Sequence, residues 1–221
     1  MKLTLSANAG LAIEIGGKRI WVYALHTRKQ PGFSCLDAQL QKKMLSHPAF
    51  QKPDVICYTH CHPDHYSRSL TEAACRIWPK AALLVPGQTV PAGDRWDFSL
   101  DDLTVIFFRL PHEGQQYADT LHYGIFIQCG SENVLLTGDC AVGCGEMNGM
   151  APQTIVVDFP WIALPKGRKV LMEDICPGKI VACHIPFARD DVNGYREAAA
   201  KAADLMENVY LLQEPLQSIE M

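Results

Sequence analysis

The sequence predicts a mixed α/β protein in which two sheets carry helices on their outer faces. Three observations lead to that class. Short apolar runs recur along the chain, several of them six to eight residues long, each bounded by glycine, proline or a polar cluster. Three separate segments read as helices between groups of those runs. Hydrophobic residues fill 48% of the 221 positions, enough to close one substantial core, so residues 1–221 are expected to form a single domain.

The elements follow in order. "LAIEIGG" and "KRIWVYAL" meet at Gly16 and Gly17, the two-residue signal of a β-hairpin. Ser34 is expected to cap a helix running through "CLDAQLQKKMLSH", which Pro48 closes. "DVICYTH" is a continuous apolar run, as in a strand buried on both faces, and it delivers the chain to His60. A second helix is expected over residues 67–78, stopping at Pro79. The strands "AALLVP", "LTVIFFRL", "LHYGIFIQ" and "NVLLTGD" come next, then "TIVVDFP" and "KIVACH". An alanine-rich helix over 193–206 and a short strand "VYLL" end the pattern. No internal repeat or linker interrupts it.

A net charge of −4 gives no basic footprint for nucleic acid. No apolar run reaches the roughly 18–20 residues of a membrane span, and "MKLTLSANAG" lacks the apolar stretch of a signal peptide. Nine cysteines, odd in number and irregularly spaced, do not form a secreted disulfide framework. They read as reduced thiols in a cytoplasmic protein. No CxxC pair marks a zinc ribbon or a thioredoxin-like motif.

The densest chemistry lies in "THCHPDHYS", where three of the chain's eight histidines and an aspartate fall between His60 and His65. In an extended segment, residues two apart project to one side, about 6.5–7 Å apart, so His60 and His62 can close on one ion. Pro63 turns the chain and sends Asp64 and His65 towards a neighbouring point. Imidazole with carboxylate suits zinc, iron or manganese better than calcium or magnesium. Surface histidines beside a capping aspartate would explain the residue types but not their density. A structural zinc on Cys57, Cys61, His62 and His65 would leave His60 and Asp64 idle. A metal loop is the better reading. Three further donors stand where apolar runs end: His112 after "LTVIFFRLP", Asp139 after "NVLLTG" and His184 after "KIVAC".

With these residues in place, the chain resembles the metallo-β-lactamase fold superfamily. His60, His62, Asp64 and His65 match its HxHxDH signature, and His112, Asp139 and His184 match its later ligands in order. The resemblance implies a four-layer αββα sandwich with metals at one edge. It also implies that His60, His62 and His112 hold one metal, that Asp64, His65 and His184 hold another, and that Asp139 bridges them. Two divalent ions are expected, zinc by default, with Mn2+ or Fe2+ open. They would share a hydroxide for hydrolysis, with Asp64 and Asp139 as the catalytic carboxylates.

The chain also departs from that pattern. The first hairpin of the superfamily commonly ends in an aspartate near the site, whereas here it carries Tyr23 and His26. His122 competes with His112, which is preferred because His122 opens a strand. Cys61, Cys140 and Cys183 each adjoin a proposed ligand and are expected to pack inward, although a soft-donor or redox role stays open. Arg68 and Arg189 could greet an anion or be solvated, and Trp161 could line a pocket or fill the core. The expected function is hydrolysis of an ester, lactone or phosphodiester in a small anionic molecule. An iron-dependent thiol or persulfide oxygenase and a non-catalytic metal-binding or sensing protein are the alternatives. The chain has room for the catalytic sandwich alone, which disfavours electron transfer and RNA processing. An exported lactamase is disfavoured by the missing export signal.

Overall fold

The computed structural model describes residues 1–27 and 30–221. Gly16 and Gly17 have φ of 54° and 78°, the left-handed pair that a tight hairpin turn requires. They join β2 (Leu11–Ile15) to β3 (Lys18–Val22), with Ile15 opposite Lys18. Around this hairpin a first sheet assembles β1 (Lys2–Leu5), β4 (Val55–Cys57), β5 (Ala82–Leu84) and β13 (Ser218–Glu220), in the order β13-β1-β2-β3-β4-β5. β3, β4 and β5 run parallel.

The second sheet contains β6 (Arg95–Leu100), β7 (Leu103–Arg109), β8 (Tyr123–Cys129), β9 (Glu132–Leu136), β10 (Thr154–Asp158), β11 (Lys179–Cys183) and β12 (Val209–Leu211). Their spatial order is β12-β11-β10-β9-β8-β7-β6. β6 to β9 pair antiparallel, and β9 to β12 pair parallel.

Alternation along the strands shows how the layers stack. Val134, Leu136, Val156 and Val181 join Leu3, Ile13, Val105 and Ile127 in the core between the sheets. Their neighbours Leu135, Ile155, Val157, Ile180 and Ala182 turn outward and meet Trp161, Ile162, Ala199 and Ala202. Those partners belong to α3 (Pro160–Ala163) and α5 (Tyr195–Ala203). On the first sheet, Trp21 packs edge-on to Trp78 at 4.9 Å and against Phe50 at 5.9 Å. Leu40 and Met44 of α1 (Ala38–Ser46) and Ala74 of α2 (Arg68–Ile77) share that packing. The result is the expected layering of helices, sheet, sheet and helices.

Several boundaries differ from the expectation. Asp37, not Ser34, caps α1, its carboxylate accepting from the Leu40 amide at 2.8 Å. Ser34 is buried, donating to Asp190 and accepting from the Phe187 amide, both at 2.8 Å, so its hydroxyl ties the loop to residues 187–190. α5 is shorter than residues 193–206, because Asp191 accepts from the Tyr195 and Arg196 amides and fixes a later start. The strands β1, β6 and β13, and the helices α3 and α4 (Pro165–Lys169), add to the expected set. No helix among the described residues is long and apolar enough to cross a membrane.

Candidate metal centre

The C-terminal ends of β4, β7, β9 and β11 deliver the four stretches of the site. After β4 the chain stays buried through Tyr58, Thr59 and His60. The amides of His65 and Tyr66 both donate to the His62 carbonyl at 2.9 Å, closing the turn that Pro63 begins. The loops after β7 and β9 are held together by backbone: Glu113 N donates to Asp139 O at 2.8 Å, and Ala141 N to Pro111 O at 2.9 Å. His184 takes a left-handed φ of 59° at the end of β11, with its amide donating to the Asn8 carbonyl. Rigid strand ends thus place every donor.

The structure brings all seven predicted residues together. Donor atoms of His60, His62 and His112 lie within 4.8 Å of one another, as do those of His60, His65 and Asp139, and those of Asp64, His65 and His184. His60 and His65 each belong to two groups. Asp139 Oδ2 lies 3.0 Å from His65 Nε2, 3.7 Å from His60 Nε2 and 3.9 Å from His112 Nε2. His60 Nδ1 bonds Thr59 Oγ1 at 2.9 Å, and His112 Nδ1 bonds the Glu113 carbonyl at 2.8 Å. A carbonyl only accepts, so His112 carries its proton on Nδ1, and the same tautomer suits His60. Their Nε2 lone pairs are left facing the centre.

Those inward atoms have no partner in the protein. His60 Nε2, His112 Nε2, His184 Nε2 and Asp139 Oδ1 are all buried without a hydrogen bond. Orphaned buried acceptors are costly, and a cation shared among them would satisfy all of them, so the donor set fits divalent metal. The electrostatics agree. Burial pushes His60 well below its ordinary value, lowers His62, and brings His184 to about 4, keeping these imidazoles neutral as ligands must be. For His65, burial pushes down but the adjacent Asp139 carboxylate prevails, raising it. Asp139 is driven up by burial and still falls well below the carboxylate range, because His65 and His184 surround it.

No protein-family profile matches the sequence, and no curated protein matches it. Solved structures do match. A metallo-β-lactamase fold protein, YhfI from Bacillus subtilis, superposes with a TM-score of 0.65 at 14% identity, covering 99% of this chain and 98% of its own. Igni18, a metallo hydrolase from Ignicoccus hospitalis, gives 0.62 at 17% identity over 99% and 97%. CmlA, a diiron β-hydroxylase from Streptomyces venezuelae, gives 0.64 at 14% identity over 100% of this chain and 54% of its own. The chain has the metallo-β-lactamase fold.

Within this metallo-β-lactamase fold the first hairpin ends in Tyr23, whose ring lies edge-on to His65 at 5.4 Å. His26 is fully buried, and its Nε2 bonds the Ala7 carbonyl at 3.1 Å, not a histidine of the centre. His122 is fully buried just before β8, its ring 5.1 Å from His60 and 5.2 Å from His112, and it joins none of the donor groups. Its Nδ1 bonds the Leu110 carbonyl at 3.3 Å.

Among the described residues no cysteine joins a donor group. Cys140 and Cys183 pack inward as expected, with Cys183 Sγ 3.6 Å from the Val157 carbonyl. Cys61 departs from that expectation and is exposed, its Sγ near the Pro86 carbonyl. The turn at Pro63 begins too soon after His60 for strand alternation to bury it. Cys57 is sealed inside β4, so the four-ligand zinc on Cys57 and Cys61 does not form. Trp161 fills the core. Arg68 pairs with Glu72, and Arg189 with Asp37, both at the surface.

Sequence reasoning missed Asp158. Its Oδ2 lies 3.9 Å from His184 Nδ1. Burial, with the Asp139 charge added, pushes Asp158 well above the carboxylate range. The signal was present: Asp158 ends an apolar run just as the three chosen donors do. Gln30, Pro31, Phe33, Pro63 and Tyr117 complete a cleft of about 370 Å³ over the centre.

Proposed function

We propose that the chain is a metal-dependent hydrolase that cleaves an ester, lactone or phosphodiester bond in a small molecule. The position of Asp139 carries this reading, because one carboxylate faces both sets of histidines. His60, His62 and His112 would hold one cation, and Asp64, His65 and His184 a second, with Asp139 shared. A pair of divalent cations, zinc by default, supplies Lewis-acid polarisation of the scissile group and a nucleophilic water at neutral pH. Mn2+ and Fe2+ suit the same donors.

The protein's own groups do the rest. Neutral buried imidazoles keep their lone pairs available for binding. Asp64, at 3.7 Å from His65, has a carboxylate on the cleft wall that can accept a proton from the attacking water and orient it. Asp158, beside the other ring nitrogen of His184, supports that imidazole's orientation. An anionic substrate would be held by the cations, since Arg68 and Arg189 are engaged elsewhere. A cytoplasmic setting belongs to the same reading, supported by nine cysteines that are odd in number and irregularly spaced.

Replacing Asp139 with alanine is expected to lower bound metal to about one ion or less per chain and to abolish hydrolysis across an ester, lactone and phosphodiester panel. Unchanged stoichiometry and activity would refute the shared role. The likeness to CmlA, a diiron β-hydroxylase, favours a second reading as an iron-dependent oxygenase. Metal analysis of protein purified without added metal separates the two: zinc or manganese supports hydrolysis, and iron with dioxygen uptake supports oxygenation.

A further inference from the structure

Two aromatic rings stand over the candidate centre, each against a different donor group. Phe33 lies 4.5 Å from the His184 ring and is backed by Tyr195 at 5.7 Å, which in turn meets Phe159 at 4.9 Å. Tyr117 lies 4.8 Å from His62 and 4.9 Å from His112. Tyr117 is 41% exposed although its ring rests on two imidazoles, so one face is left open at the cleft. Pro31 and Pro63 add rigid apolar wall, and Gln30 contributes a neutral amide. Asp139 lies in the same cleft as both rings. A substrate reacting beside Asp139 therefore projects its substituent past Phe33, Tyr117 or both.

We infer that the site selects substrates bearing a flat aryl group next to the scissile bond, with Phe33 and Tyr117 as the specificity-determining residues. This rests on the hydrolase reading for where the reacting atoms sit. Aromatic rings attract another ring through offset and edge contacts beyond the area they bury, and rings already held in place lose little freedom on binding. A cleft of about 370 Å³ lies at the small end of ligand sites and suits one ring with a short linker. The arrangement of Phe33, Tyr195 and Phe159 keeps one wall fixed.

The test compares phenylphosphonate with methylphosphonate by calorimetry on the zinc-loaded protein. At a pH well above their second ionisations both are dianions with the same charged head, so their ratio reads the walls. Phenylphosphonate is expected to bind about tenfold tighter. Tyr117→Ala and Phe33→Leu should each cut that advantage about threefold while zinc content and methylphosphonate affinity stay unchanged. The leucine keeps apolar bulk and removes only the ring, and Tyr117 is exposed enough to replace without unfolding the chain. Equal affinity for the two probes, or an advantage unaltered in both variants, would overturn the assignment. Neither constant depends on turnover, so an inactive protein can still pass and an active hydrolase can still fail.

Discussion

His60 has one nitrogen free for a cation because Thr59 occupies the other. The 2.9 Å contact between Thr59 Oγ1 and His60 Nδ1 replaces the carboxylate that the hairpin lacks. Such a supporting contact fixes both tautomer and ring angle, and its loss commonly costs about 10–100-fold in metal affinity. Thr59→Val keeps the shape and removes the hydroxyl. It is expected to weaken zinc binding about tenfold in a chelator competition, with unfolding of the metal-free protein little changed, and Thr59→Ser should restore it. Unaltered affinity in the valine variant would show that packing alone orients His60. Gly138 belongs to the same neighbourhood. Its φ is 55°, and a Cβ there would lie 2.5 Å from Thr59 Oγ1 and 2.8 Å from Tyr23 Oη and His122 Nε2. Only glycine lets the chain after β9 pass so close behind the histidines on its way to Asp139.

At the level of elements, legibility followed the strength of the local signal. The hairpin at Gly16 and Gly17, the stop at Pro79 and the buried run before His60 were readable because turn chemistry and apolar continuity act over a few residues. β13 was not, because three residues with one half-buried isoleucine have no pattern, and only pairing with β1 makes them a strand. β6 alternates between exposed and half-buried residues at a sheet edge, so its apolar content is too thin to announce a strand. Ser34 looked like a helix cap by type. It caps nothing because Asp190, 156 residues later, takes its hydroxyl. The HxHxDH loop was legible because four donors sit within six residues. Phe33 and Tyr117 meet His184, His62 and His112 only through contacts between distant loops, which no short window contains.

For the whole molecule, the burial of neutral histidines sets a dependence on acid. His122 is pushed by burial to about 3, whereas the unfolded chain holds it near 6.5. Between those values the unfolded state binds the extra proton. The His122 contribution is therefore complete above about pH 6.5 and is lost as pH falls towards 3. His26, lowered to about 4, acts in the same sense. Asp158 acts in the opposite one, its raised value favouring the fold at lower pH. Urea midpoints of metal-free protein should therefore be compared with those of His122→Gln. The difference between parent and variant is expected to shift against the parent as pH drops from 6.5 to 4. A difference that is flat with pH would mean that His122 is not held neutral by the fold.

Anomalous diffraction at the zinc edge tests whether strand ends from both sheets enclose a pair of cations around Asp139. Crystals of zinc-loaded protein are predicted to show two peaks about 3.5–4 Å apart, one among His60, His62 and His112, the other among Asp64, His65 and His184, with Asp139 touching both. A single peak, or zinc bound elsewhere on the chain, would rule out a cation pair shared by Asp139.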